Sequence, residues 1–139
     1  MNNEKRDPGV FGLGAPNDAY KQYFIGQSYL KRLLKEPISI ANVTFEPGCR
    51  NNWHIHHKGG QILLVTGGKG WFQEWGQPAK ALTPGDVVSV APEVKHWHGA
   101  ASDNWFSHLS IEVPAEGSSN EWLEPVCDAQ YDTLGKKQE

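Results

Sequence analysis

Short apolar or alternating segments, separated by turn residues, follow one another along most of this chain. They are QYFIGQSYL, ISIANVTFEPG, QILLVTGG, GWFQEWG, DVVSVAP and WFSHLSIEV. Runs of this length bounded by turn-forming residues are typical of strands, and several at close spacing predict an all-β sandwich or barrel. Two segments have a helical composition instead, YLKRLLKE and the tail DAQYDTLGKK. We expect both to form short peripheral helices.

The two ends of the chain lack the strand pattern. Residues 1–19 are rich in Gly, Pro, Asn and Asp and show no period, which predicts a flexible N-terminal arm. Residues 20–126 carry the strand segments and form the predicted β-barrel domain, and residues 127–139 form a C-terminal tail. A chain of 139 residues fits a single domain with one core.

Charge and composition argue against several partner classes. The formal net charge of -3, without a long basic run, gives no electrostatic basis for binding nucleic acid. The charged amino terminus has no apolar stretch behind it, so neither a secretory signal nor a membrane partner is predicted, and we expect a cytoplasmic protein. Cys49 and Cys127 are expected to be free thiols, with the role of Cys49 left open.

All six histidines lie between positions 54 and 108, on three separate strand-like segments. Because alternate residues of a strand share a face, His54 and His56 point the same way and His57 points the other way. His96 and His98 repeat this spacing in KHWHG. Paired imidazoles from two places in the sequence, followed by a side-chain oxygen donor, are what a divalent transition metal requires.

The third segment places further chemistry on an interior face. Phe106, His108, Ser110 and Glu112 alternate there, and the apolar Phe106 indicates that this face is buried. In the earlier segment ISIANVTFEPG, Ala41, Val43 and Phe45 lie on one face of the predicted strand. They would form an apolar wall suited to an aromatic or aliphatic substrate. The predicted substrate pocket therefore consists of Ala41, Val43, Phe45, Phe106 and Glu112.

Two motifs resemble those of the cupin family. GCRNNWHIHHKGGQILLVTGG has the order of the first cupin motif, with Gly48, His54, His56, Gln61 and Gly68 at its defining positions. PGDVVSVAPEVKHWHGA is similar to the second, with Gly85, Pro92 and His96. Gln61 stands where many cupins carry glutamate, and Glu93 stands where the second motif usually has glycine. The longer match resembles small bacterial cupins associated with carboxymuconolactone decarboxylases and the manganese-dependent cupin hydroxynitrile lyases.

This resemblance implies a fold and a site. The fold would be a single-domain double-stranded β-helix, or jelly roll, with one divalent metal at its open end. Manganese is the metal that the resemblance favours, and iron, nickel, cobalt and zinc are alternatives. The ligands would be His54, His56, Gln61 and His96. Spacing alone leaves either imidazole of HWHG open as the ligand, and the motif favours His96.

The resemblance also implies catalytic groups. His98 and His108 would be pocket residues that act as acid or base, and we expect His98 to have an ordinary pKa of about 6.5. His57 would be a surface residue or would support the ligands. The leading hypothesis is a metal-dependent lyase acting on a small hydroxy or carbonyl compound.

Two other functions remain open. A metal-dependent dioxygenase would use the same ligand spacing and would need oxygen, whereas a lyase would not. A non-catalytic module that binds a metal and a small ligand is the other alternative. An open jelly roll leaves strand edges, and residues 17–30 could pair with a neighbouring subunit, so we expect a homodimer. The segment NEWLEPVCDAQY is expected to close one end of the barrel or the interface, with Trp122 and Leu123 as its apolar contacts.

Overall fold

Two antiparallel β-sheets face each other in the computed structural model, which describes residues 7–134. The first sheet has the order β1-β3-β4-β12-β7-β10. Its strands are β1 (Ala15–Pro16), β3 (Ser28–Leu34), β4 (Ile40–Phe45), β7 (Gln61–Gly68), β10 (Val87–Val90) and β12 (Phe106–Glu112). The prediction of an all-β jelly roll is confirmed.

The second sheet carries five of the six histidines on two of its strands, β6 and β11. Its order is β13-β6-β11-β5-β2, and β8 extends it by pairing with both β11 and β9. Its strands are β2 (Phe24–Ile25), β5 (Arg50–Asn51), β6 (His54–His57), β8 (Gly70–Glu74), β9 (Lys80–Leu82), β11 (His96–Ala100) and β13 (Ser119–Trp122). Sheet pairing thus holds all five of these histidines.

The main core lies between the two sheets. It is built from alternate residues of the strands, as β7 shows by its strict alternation of buried and half-buried positions. The buried cluster consists of Val43, Phe45, Cys49, Leu63, Val65, Phe72, Leu82, Val90, Ala100 and Phe106. A second cluster, on the other side of β11, contains Trp53, Trp97, Val126 and Tyr131. Residues near the C-terminus therefore cover one face of the second sheet.

Helical structure is limited to two short elements among the described residues. A 3₁₀ helix spans Asp18–Tyr23, and α1 spans Asp128–Tyr131 within the predicted tail helix, whose last residues lie outside the described range. Neither is long and apolar enough to cross a bilayer. The helix predicted for YLKRLLKE is wrong, because most of that segment is β3, which pairs with β1 on one side and β4 on the other. Two turns of helix are marginal alone, so sheet pairing outweighs propensity.

The N-terminal segment runs along the first sheet. Residues 1–6 lie outside the described range. Asn42 donates hydrogen bonds from Nδ2 to the carbonyls of Pro8 at 3.0 Å and Gly12 at 2.9 Å, and the Gly68 amide donates to Asp7 Oδ2 at 3.0 Å. In the part of the chain that the structure describes, residues 7–16 are thus tied to the barrel by specific hydrogen bonds.

Candidate metal centre

Three histidines from two neighbouring strands meet in the interior. β11 pairs with β6 so that His96 lies opposite His54, and strand alternation places His56 on the same face as His54. The ring centroids of His54 and His96 are 4.2 Å apart, and those of His56 and His96 are 5.1 Å apart. All three residues are buried, and one ligand nitrogen from each lies within 4.8 Å of the others. This cluster can hold a divalent metal.

Hydrogen bonds at Nδ1 orient the three rings. His54 Nδ1 lies 2.8 Å from the carbonyl oxygen of Asn52, and His96 Nδ1 lies 2.9 Å from that of Val94. His56 Nδ1 lies 2.7 Å from Oδ1 of Asn120. Because a backbone carbonyl can only accept, the rings of His54 and His96 carry their proton on Nδ1, and the lone pair is left on Nε2, as metal-binding histidines require. Nε2 of His96 is buried and has no hydrogen-bond partner among residues 7–134, which a bound cation would provide.

Gln61 brings an amide oxygen to the same place. It begins β7, and its Oε1 lies 2.9 Å from Nε2 of His56. Its Nε2 donates to Oγ of Ser110 at 2.8 Å, which turns the carbonyl oxygen toward the histidines. Two ligand atoms at right angles around a metal, each bonded at about 2.1 Å, would be roughly 3 Å apart. The four predicted ligands are therefore together, and their donor atoms fit a divalent cation.

Burial keeps the imidazoles in the form that binds metals. Removal from water lowers the pKa of His54 well below its ordinary value, and the neighbouring His96 lowers it further. Burial likewise lowers the pKa of His96 to about 4, although its hydrogen bond to Val94 acts in the opposite direction. Neutral imidazole is the ligating form. With the amide of Gln61, these ligands would bring no negative charge to a bound dication.

A cavity of about 140 Å³ opens beside the histidine cluster. Ala41, Val43, Phe45 and Glu112 line it, as does Gln61. The remaining described lining residues are Asn17, Tyr20, Phe24, Leu30, Arg32, Ser39, Asn51, His54, His56, His98, His108, Ser110, Asn120 and Trp122. The cavity thus has an apolar wall and a floor of imidazoles.

Phe106 occupies a different position from the other predicted pocket residues. It is fully buried and packs against Phe45 and His108, with ring centroids 5.6 Å from each. It therefore supports the cavity wall from behind and does not line the cavity. A bulge in the pairing of β12 with β7, between Ser107 and His108, lies directly after it.

His98 and His108 both line the cavity and pack against each other. Their rings meet edge to face with centroids 4.9 Å apart. Nδ1 of His108 lies 3.1 Å from the carbonyl oxygen of Leu109, and Nε2 is buried without a hydrogen-bond partner in the described chain. The Asn51 side-chain amide lies 3.3 Å from the His98 ring nitrogens. His108 therefore lines the cavity and has one ring nitrogen without a hydrogen-bond partner among the described residues.

The expectation that His98 has an ordinary pKa is wrong. Burial, followed by the neighbouring His108, lowers the pKa of His98 well below 6.5. Burial also lowers the pKa of His108 to about 4. Both imidazoles are consequently neutral near pH 7. Each can therefore act as a general base, but neither is in the protonated form that acts as a general acid. The sequence could assign both residues to the pocket but could not give how deeply they are buried.

His57 and Cys49 lie apart from the cluster. His57 is half-exposed, and its two ring nitrogens contact Glu93 at 2.6 Å and Glu121 at 2.7 Å. These carboxylates, Glu121 first, raise the pKa of His57. Glu93 has a φ of 70°, which explains why a glycine is usual at that motif position. Cys49 is a free thiol in the core, and burial raises its pKa, so it is inert.

Sequence reasoning missed several residues that touch the site. Asn120 and Trp122 lie on β13, where Asn120 contacts His56 and Trp122 stacks on His54 with ring centroids 4.6 Å apart. Trp122 was expected to make apolar contacts at one end of the barrel, but its position over a ligand histidine was not predicted. Arg32 was assigned to a helix, and it lines the cavity from β3. These residues are far from the histidines in sequence, so only the fold brings them together.

Comparisons with known proteins agree with the motifs. A family model described as "Cupin domain" matches residues 41–112. The (R)-mandelonitrile lyase of Granulicella tundricola is 42% identical over 124 residues, which are 86% of this chain and 94% of that protein.

Solved structures extend the comparison. The crystal structure of a cupin-like protein from Thermotoga maritima has a TM-score of 0.83 at 40% identity, covering 91% of this chain and 98% of that chain. A DMSP lyase from Ruegeria pomeroyi has a TM-score of 0.60 at 20% identity, covering 85% of this chain and 60% of that chain. At that identity the second likeness concerns the fold alone.

Proposed function

The chain belongs to the cupin family, and we propose that it is a metal-dependent lyase that cleaves or forms a carbon–carbon bond next to a hydroxyl or carbonyl carbon. The observation that carries this proposal is the shared cavity. It joins three of the four proposed metal ligands, His54, His56 and Gln61, to an apolar wall and to His108. Nε2 of His108 has no hydrogen-bond partner among the described residues. The relative named (R)-mandelonitrile lyase supports the specific form of the reaction, the cleavage of a cyanohydrin such as (R)-mandelonitrile.

The metal that we propose is manganese, held by His54, His56, Gln61 and His96. Neutral nitrogen and oxygen donors of this kind also accept iron, cobalt, nickel and zinc, so the ligand set alone does not select among them. When bound, a divalent cation supplies positive charge that makes a nearby hydroxyl group more acidic and polarises a carbonyl group. The absence of an anionic ligand leaves this charge undiminished.

His108 is the proposed base. Its Nε2 accepts the hydroxyl proton of a cyanohydrin, and the electrons of the O–H bond become the second bond of the carbonyl group. The bond between the carbinol carbon and the nitrile carbon breaks in the same step, and its electron pair leaves on the nitrile carbon. Because the pKa of His108 is about 4, the proton is readily given to the leaving group, which departs as hydrogen cyanide.

His98 and the cavity wall would hold the reacting groups in place. His98 packs edge to face against His108, so it restricts the ring that accepts the proton. Ala41, Val43 and Phe45 offer an apolar surface to an aryl or alkyl substituent, and burial of that substituent excludes water. Glu112 lies on the wall near Gln61, since the two residues are paired between β12 and β7.

The test is a turnover assay with defined metal content. Protein stripped with a chelator and reconstituted separately with each of the five metals should release hydrogen cyanide from (R)-mandelonitrile with at least one of them. The rate should be the same with and without oxygen. His108→Ala should lower the rate by about 10²–10⁴-fold with metal content unchanged, whereas His57→Ala should have little effect. Turnover that requires oxygen would support the dioxygenase, and no turnover of any hydroxy or carbonyl substrate would overturn the lyase.

A further inference from the structure

β13 lies directly against the strand that supplies two of the proposed metal ligands. This short strand, Ser119–Trp122, pairs with β6 so that Asn120 lies opposite His56 and Trp122 lies opposite His54. Three of its side chains contact histidines. Asn120 contacts His56, Glu121 contacts His57, and Trp122 stacks on His54. β13 therefore has contacts that go beyond covering a sheet edge.

His56 differs from the other two histidines in how its ring is held. In His54 and His96, Nδ1 contacts the backbone carbonyl of the residue two positions earlier in the chain. His56 instead contacts the Asn120 side chain, from a residue 64 positions away, at 2.7 Å. Within the described residues, its Nδ1 contact is therefore one that a single substitution can remove.

The other side of the His56 ring makes this contact important. Nε2 lies 2.9 Å from Oε1 of Gln61, so amide oxygens face both ring nitrogens. A neutral imidazole carries one proton and can donate to only one of them. If the proton were on Nε2, it would bond to Gln61, and neither atom would then be free to bind a metal.

We propose that Asn120 is a positioning residue that keeps the proton of His56 on Nδ1 and so leaves Nε2 as a lone pair directed at Gln61 and the metal. The Asn120 carbonyl, at 2.7 Å, competes with Gln61 for the same proton. Hydrogen-bond partners of this kind commonly change metal affinity by 10–100-fold. The inference rests on the metal centre of the proposed function and does not depend on the lyase reaction.

Asn120 is well suited to a selective test because it is exposed. Its replacement removes little packing, and surface substitutions usually change stability by less than about 0.5 kcal/mol. Asn120→Leu keeps a similar size but removes the acceptor. Asn120→Asp keeps an oxygen at the same place and should rescue the contact. Glu121→Gln is the matched control, because it alters a contact from the same strand to His57, which is not a proposed ligand.

The first measurement is the tautomer of His56 in metal-free protein, by long-range ¹H–¹⁵N correlation of the imidazole rings. The wild type, the Asn120→Asp variant and the Glu121→Gln variant should carry the proton on Nδ1. The Asn120→Leu variant should move toward the Nε2 form. Unchanged protonation in the Asn120→Leu variant would overturn the inference, whether or not the protein binds metal or turns over a substrate.

The second measurement is the dissociation constant for Mn²⁺, by calorimetry. Asn120→Leu should weaken binding by 10–100-fold, with the urea midpoint unchanged, and Asn120→Asp should restore it to within a few-fold of wild type. Equal affinity in wild type and Asn120→Leu would contradict the inference while leaving the metal centre intact. If the wild type binds no divalent metal, the proposed function fails, and the tautomer measurement still decides the role of Asn120.

Discussion

Gln61 determines how much charge the proposed metal centre would carry. Its amide oxygen lies 2.9 Å from the ligand nitrogen of His56, at the position where many cupins have a carboxylate. Ser110 accepts a hydrogen bond from its amide nitrogen and would instead donate its hydroxyl proton to a carboxylate. A glutamate could therefore be accommodated here, and the glutamine is a chemical difference that does not depend on the local fold.

We predict that Gln61→Glu binds Mn²⁺ more tightly and turns over substrate more slowly. The carboxylate attracts the cation, and it also neutralises part of the positive charge that a reacting oxygen would experience. Calorimetry should show an affinity gain of about tenfold or more, and the turnover rate should fall. Gln22→Glu, at an exposed position of the 3₁₀ helix, is the control for the added charge. Weaker binding together with faster turnover would contradict this account of Gln61.

At the scale of single residues, the sequence predicted which residues form the site better than it predicted their burial and their contacts. Strand alternation was sufficient to place His54 and His56 on one buried face and His57 on the other. It could not give the pKa of His98, which depends on burial by other strands. Nor could it identify Asn120, because that contact exists only after β13 has paired with β6.

At the scale of elements, the glycine that ends β7 shows why the motif contains it. Gly68 has a φ of 69°, and a Cβ there would lie 1.7 Å from the carbonyl oxygen of Trp105. Both the backbone conformation and the close approach of the chain before β12 require a residue without a side chain. This glycine pairs with Phe106, close to the bulge between Ser107 and His108 on β12.

Gly68→Ala should be far more destabilising than Gly48→Ala. Both glycines have a positive φ, of 69° and 81°, but a Cβ at Gly48 would meet nothing within 4 Å. The conformational cost of about 1–2 kcal/mol is therefore common to both. At Gly68 the clash adds a further cost of about 1–3 kcal/mol. Urea unfolding measures the difference, and equal losses in the two variants would show that the contact with Trp105 does not matter.

The error in predicting a helix for YLKRLLKE also concerns a whole element. YLKRLLKE has good helix formers, yet Ser28–Leu34 is a strand between two partners, and its pairing with β4 has an irregularity between Arg32 and Leu34. The partners of this strand are distant in sequence, so a short segment of sequence cannot show that the pairing forms. By contrast, the segments QILLVTGG and WFSHLSIEV form strands as predicted, β7 and β12, because each is a long apolar or alternating run.

At the scale of the whole molecule, the barrel keeps several imidazoles neutral in its interior. The pKa values of His96 and His108 are lowered to about 4, and those of His54 and His98 are lowered in the same direction. The unfolded chain binds protons below about pH 6.5, where the folded chain does not. The stability from neutral burial is thus complete above pH 6.5 and is lost as the pH falls toward 4.

We therefore predict that the metal-free protein loses stability steeply on mild acidification. Between pH 7 and pH 5, His96 and His108 should each cost about 2 kcal/mol. His57 acts in the opposite sense, because its raised pKa favours the folded state at low pH, but its half-exposed position lets water weaken this effect. Urea unfolding in the presence of a chelator measures the change. His108→Asn should flatten the dependence, and a free energy of unfolding that is constant from pH 7 to pH 5 would contradict the prediction.

The assembly of the molecule stays a prediction. Residues 17–30 pair within their own chain, since β2 pairs with β5 and β3 pairs with β4. A homodimer would therefore use other surfaces or an exchange of this segment, and light scattering of the purified protein would measure its mass. The four proposed ligands do not depend on the outcome, because none of them lies in residues 17–30.

The most direct test of the account is the metal content per chain, measured by elemental analysis after purification and after reconstitution. Wild type should hold close to one divalent metal per chain, and the His54→Ala, His56→Ala double variant should hold none. His57→Ala, on the other face of the same strand, should keep the wild-type content. Wild-type protein that binds no metal even after reconstitution, or a double variant that binds as much as wild type, would contradict the central claim.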